Sequence, residues 1–233
     1  VGQFKITSNP TLTYNVNVDG SFSWTLSAKE YSYSNADNAI IRVNDQEIEA
    51  RGVPTDVSDL TVRLRDIVEV EGESTSYFDF LGTQFSAQEL RSLNLDIDDS
   101  FDGAVTISRD VFGNMSLTTV ETDYVQLGNG QFRAGTVTTI THTVSIDGST
   151  SDTTSNLRYF YSNGETSENL IANLEQNGLT ELDSSLLNSI AGKSGVLIGA
   201  KEDSPTITVS SDLFGNTTET TIRNTYILTA TGQ

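Results

Sequence analysis

Val105-Thr-Ile-Ser-Arg-Asp-Val-Phe-Gly-Asn-Met115 and Ile207-Thr-Val-Ser-Ser-Asp-Leu-Phe-Gly-Asn-Thr217 align without a gap, and the match runs on through Val120 with Ile222 and Tyr124 with Tyr226. A fainter third copy, Leu12-Thr-Tyr-Asn-Val-Asn-Val-Asp-Gly-Ser21, leads through Trp24 to Tyr31. The distance from turn glycine to tyrosine is the same in all three. Self-similarity of this kind marks a repeated supersecondary unit. Here the unit reads as a β-hairpin, because apolar residues alternate with polar ones on both sides of Asp19-Gly20, Gly113-Asn114 and Gly215-Asn216. Such dipeptides suit the positive φ of type I′ or II′ turns.

The alternating sets are Leu12, Tyr14, Val16 and Val18, then Val105, Ile107 and Val111, then Ile207, Val209 and Leu213. Each gives its strand one inward face. After the second turn, Met115 and Leu117 are odd-numbered while Val120 and Tyr124 are even. A strand with a single buried side then needs a β-bulge near Thr118 and Thr119.

Further strand pairs are expected over Leu60–Phe80 and Val137–Tyr161, turning near Glu71-Gly72 and Asp147-Gly148 and closing on Tyr77-Phe78 and Tyr159-Phe160. A helix should follow each. Ser86-Ala-Gln-Glu89 has the form of a capping box ahead of Leu90, Leu93 and Leu95. Ser167 precedes Leu170, Ile171 and Leu174, with Gly178 placed to end that helix. A second helical set, Leu179, Leu182, Leu186 and Ile190, stops at Gly192.

The order hairpin, helix, hairpin thus occurs twice. The fold expected is mainly β, an antiparallel β-sandwich built from duplicated hairpin modules with short helical insertions. Residues 1–57 form an N-terminal hairpin segment, including Ile40–Ile48, that packs on the first module. Residues 58–130 form a β module with a short helix, and 131–233 its duplicate with a longer helical insertion. The joint falls in Gly128-Asn-Gly-Gln-Phe-Arg-Ala-Gly135.

Composition agrees with this. The 31 Thr and 27 Ser make up about a quarter of 233 residues, beside 17 Asn, 18 Gly and only three Pro. Thr favours the half-solvated surface of a strand, and Asn and Gly favour tight turns. With no cysteine, disulfides, thiolate metal sites and thiol nucleophiles are all excluded. A formal charge of −19 argues against nucleic acid as a partner, since gripping phosphates needs a basic stripe. No stretch approaches the ~20 apolar residues of a membrane-spanning helix. An acidic, lysine-poor, cysteine-free chain suits an extracellular or cell-surface location, and any export signal ahead of Val1 is expected to be cut away or absent.

Candidate sites are few. Asp98, Ser100, Asp102 and Gly103 match the first half of a calcium loop, in which alternate side chains converge on a hard cation. Position twelve of that loop is Arg109 where a bidentate Glu is needed, so a Ca2+ site would draw on Asp96, Asp98, Ser100 and Asp102, with help from Asp99 or a carbonyl. The competing reading is a solvated acidic loop. Asp19-Gly20 and Asp147-Gly148 are explained by turn chemistry, and Asp203-Ser-Pro205 reads as a loop into the last hairpin.

His142 is the sole imidazole and shares parity with Ile140, Val144 and Ile146, which makes it a packed residue rather than a base; no G-x-S-x-G elbow accompanies it. Glu47 with Glu49, and Glu69 with Glu71, sit at i, i+2 spacing and are the carboxylate pairs a glycosidase would need, although a solvent face explains them. Trp24 reads as a core anchor, Tyr31 and Tyr33 as an exposed platform, and the repeated Tyr31, Tyr124 and Tyr226 as architecture. Asn114 and Asn216 head N-x-[ST] sequons at turn tips.

Two functional readings follow. In the first the chain is a non-enzymatic extracellular structural or adhesive surface protein that associates with copies of itself through edge strands. The product is a fibre or layer. Phe4 and Ile6, in the alternating Phe4-Lys-Ile-Thr7, are the candidate interface residues of a donated strand, the competing reading being an ordinary first strand of the chain's own sheet. In the second it is a carbohydrate-binding module or a carboxylate-based glycosidase, with a surface glycan as partner.

Overall fold

A computed structural model describes residues 8–33, 39–43, 46–50, 54–70, 73–128, 130–180, 184–224 and 226. Along the chain run β1 (Thr11–Val16), β2 (Phe22–Ser27), β3 (Lys29–Tyr33), β4 (Ala39–Val43), β5 (Gln46–Ala50), β6 (Pro54–Asp59), β7 (Thr61–Arg63), β8 (Ile67–Val70) and β9 (Glu73–Ser76). Then come α1 (Tyr77–Leu81), α2 (Ala87–Ser92), β10 (Ser100–Asp102), β11 (Ala104–Arg109), β12 (Met115–Gln126), β13 (Phe132–Val144) and β14 (Thr150–Asn163). Last are α3 (Ser167–Gln176), α4 (Ser184–Ile190), β15 (Ser194–Ser211) and β16 (Thr217–Ile222). The protein is mainly β. Its largest unit is one eight-stranded sheet, ordered β1-β2-β11-β12-β13-β14-β15-β16, and every adjacent pair in it is antiparallel. The other described strands pair two by two, β3 with β6, β4 with β5, β7 with β10 and β8 with β9.

The three hairpins singled out in the sequence share one register. Val16 faces Phe22, Arg109 faces Met115 and Ser211 faces Thr217, and each ladder then runs six pairs without a shift. Their turns differ from the type I′ or II′ expected. Only the glycine has positive φ, at +88° for Gly20, +92° for Gly113 and +79° for Gly215. Asp110 N–H donates to the Asn114 carbonyl while Gly113 N–H donates back to the Asp110 carbonyl, and Asp212, Gly215 and Asn216 repeat this. These are three-residue loops closed by a glycine bulge. The residue beside each glycine keeps negative φ because the extra loop residue absorbs the twist.

The proposed joint at 128–135 is a turn of the same kind. Leu127 N–H reaches the Gln131 carbonyl at 2.8 Å, so β12 and β13 are adjacent strands of one sheet.

The bulge expected near Thr118 and Thr119 lies elsewhere. Both residues pair in register on each side, and the shift falls at Asp123/Tyr124, where Gly135 is the extra residue opposite. Met115 and Leu117 face the main core, whereas Thr122 N–H and the Tyr124 hydroxyl meet the Asp59 carboxylate on the other side of the sheet. Because β12 is covered on both faces, it has no need to swap them.

Tyr77-Phe78 likewise corrects the sequence reading: it opens α1 rather than closing a strand. Ser76 Oγ accepts from Asp79 N–H at 3.0 Å and caps the helix, whereas Tyr159-Phe160 remain in β14. The capping box of α2 is present in both halves. Helix α3 is capped by Thr166, one residue earlier than expected, and Gly178 at φ +81° follows its end. In α4 the buried residues are Leu187 and Ile190. Leu179 precedes that helix, and Leu182 lies outside the described residues.

Two clusters bury the apolar side chains. Trp24, Leu26, Val105, Ile107 and Met115 from the sheet pack under Leu81, Phe85, Leu90 and Leu93, with Val62 and Leu64 beside them. Trp24 and Phe80 rings lie 4.5 Å apart. Separately, Leu170, Leu174, Leu187 and Ile190 of the later helices close over Ile198 of β15.

Glycine replacements should separate turn strain from close packing. A Cβ on Gly215 meets nothing within 4 Å, so Gly215→Ala should cost only the left-handed backbone penalty, about 1–2 kcal/mol. A Cβ on Gly103 would stand 2.2 Å from the Val120 carbonyl oxygen as well as at φ +85°. Urea unfolding should therefore rank Gly103→Ala well below Gly215→Ala in stability.

Candidate functional site

The acidic loop does not close on a point. Asp96 Oδ1 accepts from Asp98 N–H at 3.3 Å, and Asp99 Oδ2 accepts from Asp96 N–H at 2.7 Å. Asp98 lies 3.7 Å from Arg65, and Asp102 accepts from the Thr61 hydroxyl at 2.6 Å across the β7–β10 pair. Ser100 sits two residues from Asp102 on the same short strand, opposite Arg63. Among the described residues no three carboxylate or imidazole groups gather closely enough to hold a metal ion. Arg109, at the twelfth position of the loop pattern, pairs with Glu89 and lies over the rings of Phe22 and Phe85.

Phe4 and Ile6 lie outside the described residues. Immediately after them, Ser8 bridges to Glu30, and Asn9 N–H donates to the Lys29 carbonyl at 2.9 Å, both within the same chain. His142 stands opposite Asp152 on β14 with Nδ1 and Oδ1 2.7 Å apart. This is a cross-strand pair on the sheet face that also carries Leu117. Glu71 and the side chains of Glu47, Glu49 and Glu69 are outside the described set.

Tyr31 and Tyr124, separated by 93 positions, meet in a cleft of about 510 Å³ with Lys29, Pro54, Phe132 and Arg133. The Lys29 ammonium sits 5.0 Å above the Tyr124 ring, whose hydroxyl donates to Asp59 at 3.1 Å. Burial pushes the Tyr124 phenol above its ordinary value. The repeated tyrosine thus lines a concave surface as well as packing.

The repeat carries a further pair of residues that the sequence reading passed over. Asp110 and Asp212 each receive the side-chain amide of the asparagine four residues on, at 2.8 and 2.7 Å, and that asparagine's backbone N–H at 2.9 Å. The sequon asparagines therefore staple their own turns. Hydrogen bonds from Asn114 and Asn216 hold both carboxyls below the ordinary aspartate value, although both groups are solvent-exposed. The gap-free Asp-x-Phe-Gly-Asn match held this signal.

Register produces a second feature. Thr13, Thr25, Thr106, Thr118, Thr141, Thr153, Thr208 and Thr220 stand opposite one another, one per strand, across the entire eight-stranded sheet. The next row towards the turns is Asn15, Ser23, Ser108, Ser116, Thr143, Ser151, Ser210 and Thr218. Neither row contains a charge, in a chain with 45 charged side chains. Short β-branched hydroxyls suit such a face because they pack on the pleat and still bond to water. At the end where four turns align, Phe112 and Phe214 are 73% and 88% exposed.

No protein-family model matches the chain, and no curated protein or solved structure matches it significantly. Among the described residues no helix is long and apolar enough to cross a membrane.

Two measurements check these assignments. Asp110 and Asp212 should titrate by NMR with midpoints below 3.8. Since their folded values are depressed, the turn stabilisation they give is full above that ordinary value and is lost as pH falls towards the folded ones. Asp212→Asn should remove that part of the acid sensitivity. The separated carboxylates of the 96–102 loop predict the same melting temperature in EDTA and in millimolar calcium; a rise in calcium that Asp98→Asn abolishes would show that the ion draws them together.

Proposed function

We propose that this chain is a non-enzymatic structural or adhesive protein of the cell exterior that associates with copies of itself through the edges of its large sheet. One observation carries this reading: among the described residues β1 and β16 each have a single strand neighbour. The outer backbone N–H and C=O groups of both are thus open to pairing. Natural sheets usually blunt such edges with charge or proline, yet β1 has neither, and β16 holds one charge, Glu219. Acidic composition without cysteine fits an extracellular setting. Duplication of hairpin modules within a sandwich-type fold is supported by the shared turn and register of β11–β12 and β15–β16.

A second reading, a carbohydrate-binding module, is favoured by the cleft in which Tyr31, Tyr124 and Phe132 meet Lys29 and Arg133. Aromatic faces stack on sugar rings, and the two cations would orient an acidic glycan.

Sedimentation velocity at rising concentration should show species larger than 25.2 kDa. Val16→Lys, which places a charge on the open edge, should raise the concentration needed at least tenfold. A strict monomer at all concentrations would overturn the structural reading. Glycan-array binding lost in Tyr31→Ala would favour the second.

A further inference from the structure

The proposal rests on the edge-association reading and gives it a direction and a register. We infer that β16 of one copy pairs antiparallel with β1 of the next, Thr220 opposite Thr13, so that the chain polymerises head to tail into one continuous sheet.

Strand count supplies the direction. Neighbours alternate in direction across eight strands, so β1 and β16 run oppositely. Set side by side, β16 of one copy and β1 of the next continue the alternation.

Length and parity supply the register. Both edge strands have six residues, Thr11–Val16 and Thr217–Ile222. Full overlap puts Thr11 opposite Ile222, Thr13 opposite Thr220, Asn15 opposite Thr218 and Val16 opposite Thr217. Both hydroxyl rows then run unbroken from copy to copy. The symmetric alternatives fail this test at full overlap, and the one-residue slip that restores their faces leaves them five pairs against six. Full overlap of β1 with a second β1 puts Thr13 opposite Tyr14, and β16 with β16 puts Thr220 opposite Glu219, which in each case merges the hydroxyl face with the other face. Register slips by two residues keep the faces and lose two of the six pairs.

The hydroxyl bonds supply the phase. Close threonine pairs occur at alternate strand boundaries: Thr25 with Thr106 at 2.9 Å, Thr118 with Thr141 at 3.1 Å, and Thr153 with Thr208 at 3.0 Å. The reason is the ladder. The turn bond from Asn17 N–H to Ser21 O makes Thr13 and Thr25 a backbone-bonded pair, with Cα atoms ~5.5 Å apart, and leaves Thr25 and Thr106 as the closer kind at ~4.5 Å. By the same count, β16 and β1 meet at a boundary of the closer kind. Among the described residues the Thr13 and Thr220 hydroxyls are the two in the row with no threonine across a close boundary. Each is the missing partner of the other. The interface is heterologous, so every added copy leaves a fresh β1 edge and a fresh β16 edge, and growth continues as an open filament wherever the rotation between copies does not close a ring.

Cysteine cross-linking tests the register directly, because the natural chain has no cysteine. Close antiparallel pairs bring Cα atoms within the range a disulfide spans. Under mild oxidation, the double variant Thr13→Cys/Thr220→Cys should give a ladder of covalent dimers, trimers and longer species on non-reducing gels. Each single variant alone should give none, and the two mixed should give one dimer. Thr11→Cys/Thr220→Cys, two residues out of register, should cross-link at least tenfold less. Cross-linking of Thr13→Cys to itself, or no ladder from a protein that still sediments as polymers, would overturn this register and leave edge association standing. A disulfide-linked monomer would mean that the edges close within one chain, and a strict monomer without cross-links would mean that they do not associate; either result overturns both readings.

Discussion

A hydrogen-bonded loop of three residues, ending in a glycine at positive φ, sets the geometry of the large sheet. Once Gly113 N–H turns back to the Asp110 carbonyl, the residues opposite one another on β11 and β12 are fixed, and so is the face each side chain takes. The same loop at Gly20, Gly130, Gly148 and Gly215 propagates that choice through all five hairpins. A slip of one residue would turn Trp24, Leu26, Val105 and Ile107 out of the core. Repeating one turn is therefore a compact way to align eight strands. The aspartates strengthen it where asparagine follows the glycine, because one carboxylate collects two backbone N–H groups and an amide.

With register fixed, the faces divide. One carries Trp24, Leu26, Val105 and Ile107 under α1 and α2. The other presents hydroxyls in rows, while Arg109, Asp152 and Glu219 of the same strands stand at positions of the opposite parity. Threonine tolerates this position better than a long charged side chain would. Its branched Cβ suits the strand, it loses little rotamer freedom, and its hydroxyl bridges to the neighbouring strand or to water. The result is two rows, sixteen uncharged residues in all, on a protein of charge −19.

Much of this was legible in the sequence. The gap-free repeat located the hairpins, alternation identified Trp24 and Ile107 as core, and Ser86 with Glu89 marked the start of α2. The errors have physical causes. Parity was read as if β12 had one buried side, whereas Asp59 and Lys29 arrive from distant segments to cover Tyr124. Tyr77-Phe78 is β-prone by composition, but Ser76 and Asp79 supply a cap that tips it into helix. Spacing in the 96–102 segment gave carboxylates at alternate positions; it could not show that Arg65 and Thr61 would each take one of them. The threonine row was invisible for another reason: alignment across strands that are far apart in sequence depends on topology, which a local pattern does not contain.

The edges bring these points together. Five of the seven strand boundaries in this sheet are set by that one turn, and the threonine row keeps its alternation of close and wide pairs from one border to the other. Among the described residues the sheet's two outer strands have one neighbour each where the inner ones have two. An odd strand number would have left the two edges running in the same direction, and unequal edge strands would have left unpaired residues on one of them. Neither holds here: β1 and β16 have equal length, run oppositely and show the same polar face, so what the sheet offers at one side is what it lacks at the other. That complementarity follows from register alone and needs no pocket or reactive group.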